Sequence, residues 1–211
     1  MCIICASPIG VPQPTETQLR TMFDSNPHGA GYMTVCNGRV AIHKGFTTID
    51  DFLRQVRSER FGIDDPVVYH FRISTQAGVT PQMTHPFPLT SSLEACEALD
   101  VLCRVGIAHN GIIQMTTDRR NTRYSDTALF ITQYLTRLIT KPEDAHDPVI
   151  RAMIHKLIDS KMALLTGDGV ISTVGHFITD LEGRMFSNTS YIPARKFSME
   201  DASWKNFFAG C

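Results

Sequence analysis

The sequence predicts an α+β fold, because helix-like and strand-like segments fall in separate blocks, an Asn-Gly hairpin signal joins two of the strands, and the chain can carry a large core. A domain of 211 residues buries roughly 70% of its unfolded surface. With 43% hydrophobic, 9% aromatic and 19% charged residues and a mean hydropathy of −0.07, the composition excludes a disordered or fibrous chain. No internal repeat and no Pro/Gly/Ser-rich linker divides it, so residues 1–211 read as one domain.

The elements follow in order from local chemistry. Cys2 to Ala6 is a short apolar run stopped by Ser7, Pro8 and Gly10, which suits a buried strand at the start of the chain. Thr15 and Gln18 fit a capping box ahead of Leu19, Met22 and Phe23, and Asn26, Pro27 and Gly29 end that helix. Gly31 to Cys36 and Arg39 to His43 flank Asn37-Gly38, where both residues tolerate positive φ, so a hairpin is expected. Ile49, Phe52, Leu53 and Val56 mark a second helix, and Pro66 to Arg72 and Val101 to Ala108 read as buried strands. Ser125 caps a helix whose buried positions are Leu129, Ile131, Leu135 and Leu138. Pro148 opens another, with Val149, Met153, Ile154, Leu157 and Ile158 facing the core. Strands are expected again at Lys161 to Thr166, Val174 to Thr179 and Arg184 to Phe186, the last two joined through Glu182-Gly183.

Twenty Lys and Arg against 21 Asp and Glu give a formal charge of −1, so no summed field draws in nucleic acid or an anionic membrane. The sequence has no apolar run of membrane-spanning length and no signal peptide, which predicts a cytoplasmic protein. The six cysteines have no framework spacing and read as free thiols, with Cys211 an exposed one. Cys96 and Cys103 lack zinc-ligand spacing and the histidines are scattered, so no metal is expected. Cys2-Ile3-Ile4-Cys5 matches a redox pattern, but on a strand residues 2 and 5 face opposite ways.

Cys2 is the most informative position. A small residue after Met1 permits removal of the methionine, leaving a cysteine with both a thiol and a free α-amine. An α-amine titrates near 7.7 to 8.0, so it can serve as general base to its own side chain.

Four further segments follow in order: His70-Phe71-Arg72-Ile73-Ser74-Thr75, Thr84-His85-Pro86-Phe87, Ala108-His109-Asn110-Gly111-Ile112 and Ser125-Asp126-Thr127. With Cys2, this set resembles the class II glutamine amidotransferases, which use an N-terminal cysteine within the N-terminal-nucleophile (Ntn) hydrolase fold. The resemblance runs from Cys2 to about Ser187-Asn188-Thr189-Ser190, and Asn26-Pro27-His28-Gly29-Ala30-Gly31 is similar to the family's glycine-rich strand entry. Ile3 stands where the family often has glycine, and Gln76-Ala77-Gly78 adds one residue to the usual threonine-to-glycine spacing.

The resemblance implies a four-layer αββα sandwich and a cofactor-free glutaminase that converts L-glutamine to glutamate and ammonia. The ammonia would pass to a synthase on a separate chain. It implies Cys2 as nucleophile, Asn110 and Gly111 as oxyanion donors, and Arg72, Thr75, His85 and Asp126 as substrate-binding residues. Physical chemistry suits these roles: a guanidinium fork matches an α-carboxylate, an aspartate pairs with an ammonium, and glycine admits close backbone approach. His70, Thr75, His85 and His109 would shape the pocket without moving protons. Taken singly, Arg72 could be a structural ion pair, Asp126 a helix-dipole partner and Asn110-Gly111 a turn. Two rivals share the fold: an amidohydrolase for another amide or γ-glutamyl compound, and a catalytically idle interaction domain.

Overall fold

The computed structural model describes residues 2–73, 80–116 and 123–192; the expectations at Met1, Thr75 and Cys211 lie outside them. Its class is α+β, with two antiparallel sheets. The first strand, β1 (Ile3–Ser7), is buried at every residue. Helix α1 (Glu16–Ser25) begins as expected: Thr15 Oγ1 accepts the Gln18 N–H at 3.3 Å while Gln18 Oε1 accepts the Thr15 N–H at 2.9 Å. Strands β2 (Ala30–Cys36) and β3 (Arg39–Phe46) form the hairpin, with φ of 50° at Asn37 and 72° at Gly38. Helix α2 (Ile49–Glu59), capped by Thr48, leads to β4 (Val67–Phe71).

Beyond it come β5 (Phe87–Pro88), α3 (Leu93–Glu97), β6 (Asp100–Cys103) and β7 (Val105–Asn110). The helix expected from Ser125 has three parts: α4 (Asp126–Phe130), a π turn at Ile131–Leu135, and α5 (Thr136–Leu138). Helix α6 (Pro148–Ile158) precedes β8 (Lys161–Thr166), β9 (Ile171–Val174), β10 (Ile178–Thr179) and β11 (Met185–Phe186).

The larger sheet has the order β10-β11-β1-β4-β2-β3-β6 and the smaller β5-β7-β8-β9. Three buried clusters hold them. Ile4, Met33 and Val68 of the larger sheet meet Ala108, Ala163 and Leu165 of the smaller. On the far side of the larger sheet, Leu19, Met22 and Phe52 pack on Tyr32, Tyr69 and Phe71. On the far side of the smaller, Phe130, Ile131 and Ile154 pack on Phe87, Ile107 and Leu164. Full burial of one such side chain contributes about 1.5–3 kcal/mol.

Two expected strands are corrected by the structure. The run Val101 to Ala108 divides at Arg104: β6 pairs with β3 in one sheet, and β7 pairs with β8 in the other. Leu102 on β6 is 49% exposed whereas β7 is buried throughout, so the same apolar run serves an edge and then a core strand. The run Val174 to Thr179 divides at Gly175 (φ 79°), β9 pairing with β8 and β10 with β11. Both breaks carry the chain from one sheet to the other. On α6, Ile154 and Ile158 are buried as expected, but Val149, Met153 and Leu157 are exposed, because the sheet covers a single stripe of that helix.

Candidate active site

Antiparallel pairing of β1 with β4 sets Ile3 opposite Phe71, so the residues after β4 run alongside Cys2. Cys2 Sγ lies 3.5 Å from the Ile73 carbonyl, and the Ile73 N–H points at Sγ from 3.4 Å. Alternation along the strand puts Cys2 on the side of Ile4, toward the smaller sheet. Burial pushes the Cys2 thiol up, against the opposing pull of the Ile73 N–H and the Arg72 guanidinium. A thiol held in its neutral form needs a base before it can attack.

Arg72 is 4% exposed, and its backbone is clamped by the glycine-rich entry: its N–H donates to Gly29 O at 2.8 Å and its carbonyl accepts the His28 N–H at 2.9 Å. Burial lowers the guanidinium, while Cys2 and Asp126 favour its charge. Asp126 opens α4 behind the Ser125 cap, whose Oγ accepts the Ala128 N–H at 3.2 Å. Its carboxylate accepts the Ile113 N–H at 2.6 Å on one oxygen and the Thr127 N–H at 2.8 Å on the other. The Thr127 hydroxyl also donates to the second oxygen, at 3.4 Å, so the oxygen facing Ile113 is the one that keeps a further lone pair for a ligand.

Asn110 ends β7, opposite Lys161 of β8. Its Nδ2 donates to Ser187 Oγ at 2.8 Å, and its Oδ1 is buried without a partner. Gly111 has φ 151°, and a Cβ there would stand 2.4 Å from Ser160 Cβ. Only glycine fits that position without displacing its neighbour.

The histidines form the back wall. His70 Nε2 donates to the His109 carbonyl at 3.0 Å, and the rings of His70 and His85 lie 4.3 Å apart. Both His85 ring nitrogens and His70 Nδ1 are buried without partners. Burial pushes His70 down to about 3 and His109 to about 4. Burial, with His70, His109, Arg72 and Lys44 nearby, holds His85 far below its ordinary value. Neutral rings therefore line the site. His109 meets Thr127 Oγ1 at 2.9 Å through Nδ1 and Ser160 Oγ at 2.7 Å through Nε2. Gly31 admits this wall, since a Cβ there would lie 2.3 Å from the His85 carbonyl.

Two cavities meet at Cys2, Ile73 and Gly111. The smaller, about 30 Å³, collects Arg72, His85 and Asp126. The wider, about 360 Å³, collects Asn110, Lys161 and Ser187. Of the expected site residues, Cys2, Arg72, His85, Asn110, Gly111 and Asp126 thus come together around one thiol, and Thr75 is outside the described residues. A recess of about 490 Å³ between Leu89 and Pro142 contains none of them.

No protein-family model matches the chain, and no curated protein matches it. Cys2, Cys5, Cys36, Cys96 and Cys103 are free thiols. Among the described residues no helix is long and apolar enough to cross a membrane, and no group of three or more His, Cys, Asp or Glu side chains could hold a metal ion.

Sequence reasoning did not assign Ser160, Lys161 or Ser187 to the site. Serine and lysine are common residue types, and only their three-dimensional neighbours give them meaning. Lys44 lines neither cavity; it is buried, donates to the carbonyls of Gln82 at 2.9 Å and Cys96 at 2.6 Å, and burial brings it down to about 7.

Proposed function

We propose that this chain is a class II glutamine amidotransferase of the N-terminal-nucleophile type, one domain with a four-layer αββα sandwich, acting as a glutaminase. One observation carries the reading: Cys2 lines both cavities, sharing the smaller with Arg72 and Asp126 and the wider with Asn110. A nucleophile, two groups of opposite charge and a side-chain amide donor are what hydrolysis of a zwitterionic γ-amide requires.

Arg72 binds the α-carboxylate of L-glutamine and Asp126 its ammonium, with His85 walling the pocket beside them. After removal of Met1, the Cys2 α-amine accepts the thiol proton and sulfur attacks the γ-carbonyl carbon. Negative charge on the carbonyl oxygen is met by Asn110 Nδ2 and the Gly111 N–H. The C–N bond breaks, the α-ammonium returns its proton to the leaving nitrogen, and ammonia departs. Water then attacks the γ-glutamyl thioester, giving glutamate and restoring the thiol. No cofactor enters these steps, and the ammonia is consumed by a synthase.

The test combines intact mass with glutaminase activity and labelling. Protein beginning at Cys2 should release glutamate, whereas protein retaining Met1 should be folded and inactive. A glutamine analogue with an electrophile at the δ-position should alkylate Cys2 alone. Equal activity with Met1 in place, or label on Cys5 or Cys96, refutes the assignment.

A further inference from the structure

The wider cavity is too large for the leaving group assigned so far. Ammonia is a molecule of water's size, which occupies roughly 30 Å³ in the liquid. The space opening from Cys2 is about 360 Å³, within the range of small-ligand sites. The smaller cavity, at about 30 Å³ no larger than one such molecule, brings Arg72 and Asp126 to its lining for the two end groups and opens on the wider cavity at Cys2, Ile73 and Gly111. A γ-glutamyl group whose end groups reach Arg72 and Asp126, with its carbonyl at Cys2 and Asn110, therefore takes up part of the wider cavity and leaves the remainder to its third carbonyl substituent, the nitrogen.

The walls of that cavity have a definite chemistry. Ile73 and Ile112 supply aliphatic surface, and Asp159, Ser160 and Lys161 form a polar strip on the turn into β8. Lys161 Nζ donates to the Ser187 carbonyl, which fixes the ammonium in the cavity wall and leaves two of its three N–H donors. Ser160 Oγ is engaged with His109 and with the Ile158 carbonyl, so the cation is the group with spare donors in this strip. A fixed cation beside aliphatic side chains suits an amine that carries both a carboxylate and an apolar side chain.

We propose that the wider cavity is a leaving-group site, and that the substrates of this chain include γ-glutamyl amides of apolar amino acids, whose carboxylate meets Lys161. This rests on the γ-glutamyl thioester chemistry proposed above and alters only the group expelled. Cys2 sulfur bonds to the γ-carbonyl carbon, the C–N bond breaks, and the nitrogen leaves with the former thiol proton as the α-amine of a free amino acid. Water then cleaves the thioester to glutamate.

The experiment compares three substrates on one preparation of the protein beginning at Cys2: L-glutamine, γ-glutamylleucine and γ-glutamyl-isoamylamide, which matches the leucine compound but lacks its carboxylate. The expected kcat/KM for γ-glutamylleucine exceeds that for the isoamylamide by about tenfold, the worth of one well-placed charge-assisted contact. Lys161→Gln should bring this ratio close to one, and Lys161→Arg should preserve most of it. Because the ratio is read within each variant, loss of folded protein cancels.

Hydrolysis of glutamine without hydrolysis of γ-glutamylleucine would overturn the leaving-group site and leave the glutaminase reading standing. Hydrolysis of γ-glutamylleucine without that of glutamine supports the site and overturns ammonia release as the function. A ratio unchanged in Lys161→Gln overturns the role of the lysine, and turnover of none of the three substrates overturns both proposals.

Discussion

Ser187 Oγ accepts the Asn110 side-chain amide and the Ile4 backbone N–H, each at 2.8 Å. One hydroxyl thereby ties the proposed oxyanion donor, on the smaller sheet, to the strand that begins beside the proposed nucleophile, on the larger. The serine is fixed in turn, since its N–H donates to Ile4 O at 2.9 Å and its carbonyl receives Lys161 Nζ. The separation of Cys2 and Asn110 is thus tied to a bond between the sheets, which gives Ser187 a positioning role in the proposed reaction.

Replacing Asn110 by Ala should lower kcat by ~10²–10³ with KM little changed, the cost of one oxyanion donor. Ser187→Ala should act in the same direction but more weakly, about tenfold, because the donor remains and only its aim is lost. The Ile4 N–H would also lose its buried partner, at about 1–3 kcal/mol of stability. Steady-state kinetics on L-glutamine with urea unfolding of the same variants measures both effects. A rise in KM alone, for either variant, contradicts the assignment.

Gly111→Ala tests the close approach on the other side of the proposed oxyanion site. The added Cβ would lie 2.4 Å from Ser160 Cβ at a backbone φ of 151°. Ser160 must move, and its 2.7 Å contact with His109 goes with it. A destabilisation of more than about 1 kcal/mol is expected, with loss of glutaminase activity in the folded fraction. An unchanged unfolding midpoint would show that the site has room that the geometry denies.

Much of the fold is legible because local chemistry determines it. Thr15 and Gln18 cap a helix wherever that helix lies, and Asn37-Gly38 makes its turn from its own φ preferences. The sheet changes at Arg104 and Gly175 are not legible, since an apolar run states that it is buried and not which sheet buries it. On α6 the stripes Ile150-Ile154-Ile158 and Val149-Met153-Leu157 are equally apolar in sequence, and tertiary packing covers the first. At the site, Cys2, Arg72, Asn110, Gly111 and Asp126 stand out through the resemblance of their ordered motifs to a known family, since taken singly Arg72, Asp126 and Asn110-Gly111 each fit a structural role as well. Ser187 and Lys161 do not, because their roles come from partners at Asn110 and in the wider cavity, far away in sequence.

The histidine wall predicts an acid-sensitive fold. His70 and His109 are held at about 3 and about 4, below their ordinary 6.5, so the unfolded chain binds protons that the folded chain refuses. Their contribution is complete above pH 6.5 and is lost as the pH falls toward those lower values, at about 1.4 kcal/mol per pH unit for each ring. His70→Gln keeps a donor for the His109 carbonyl and removes one titrating group. Urea unfolding between pH 7 and 5 should therefore show a shallower decline in that variant than in the wild type. Parallel slopes would mean that His70 titrates alike in the folded and unfolded states.

The last prediction separates holding the substrate from reacting with it. Arg72 and Asp126 lie in the smaller cavity with Cys2, and their assigned contacts are to the α-carboxylate and α-ammonium, groups whose charge does not change during attack at the γ-carbon. Such contacts are equal in the ground and transition states, so Arg72→Ala and Asp126→Ala should raise KM while leaving kcat nearly intact. Selectivity for the zwitterion should fall as well, each variant accepting the glutamine derivative that lacks the matching end group almost as well as glutamine. Arg72→Lys should recover little, since an ammonium cannot reproduce the planar fork. Asp126 also accepts the Ile113 and Thr127 N–H groups, so Asp126→Asn, which keeps one acceptor oxygen, separates loss of charge from loss of the loop it anchors. If Asp126→Asn unfolds no more easily than wild type yet binds glutamine with a higher KM, the carboxylate is a ligand group; if both variants keep wild-type KM, the substrate is held elsewhere even with Cys2 confirmed as nucleophile.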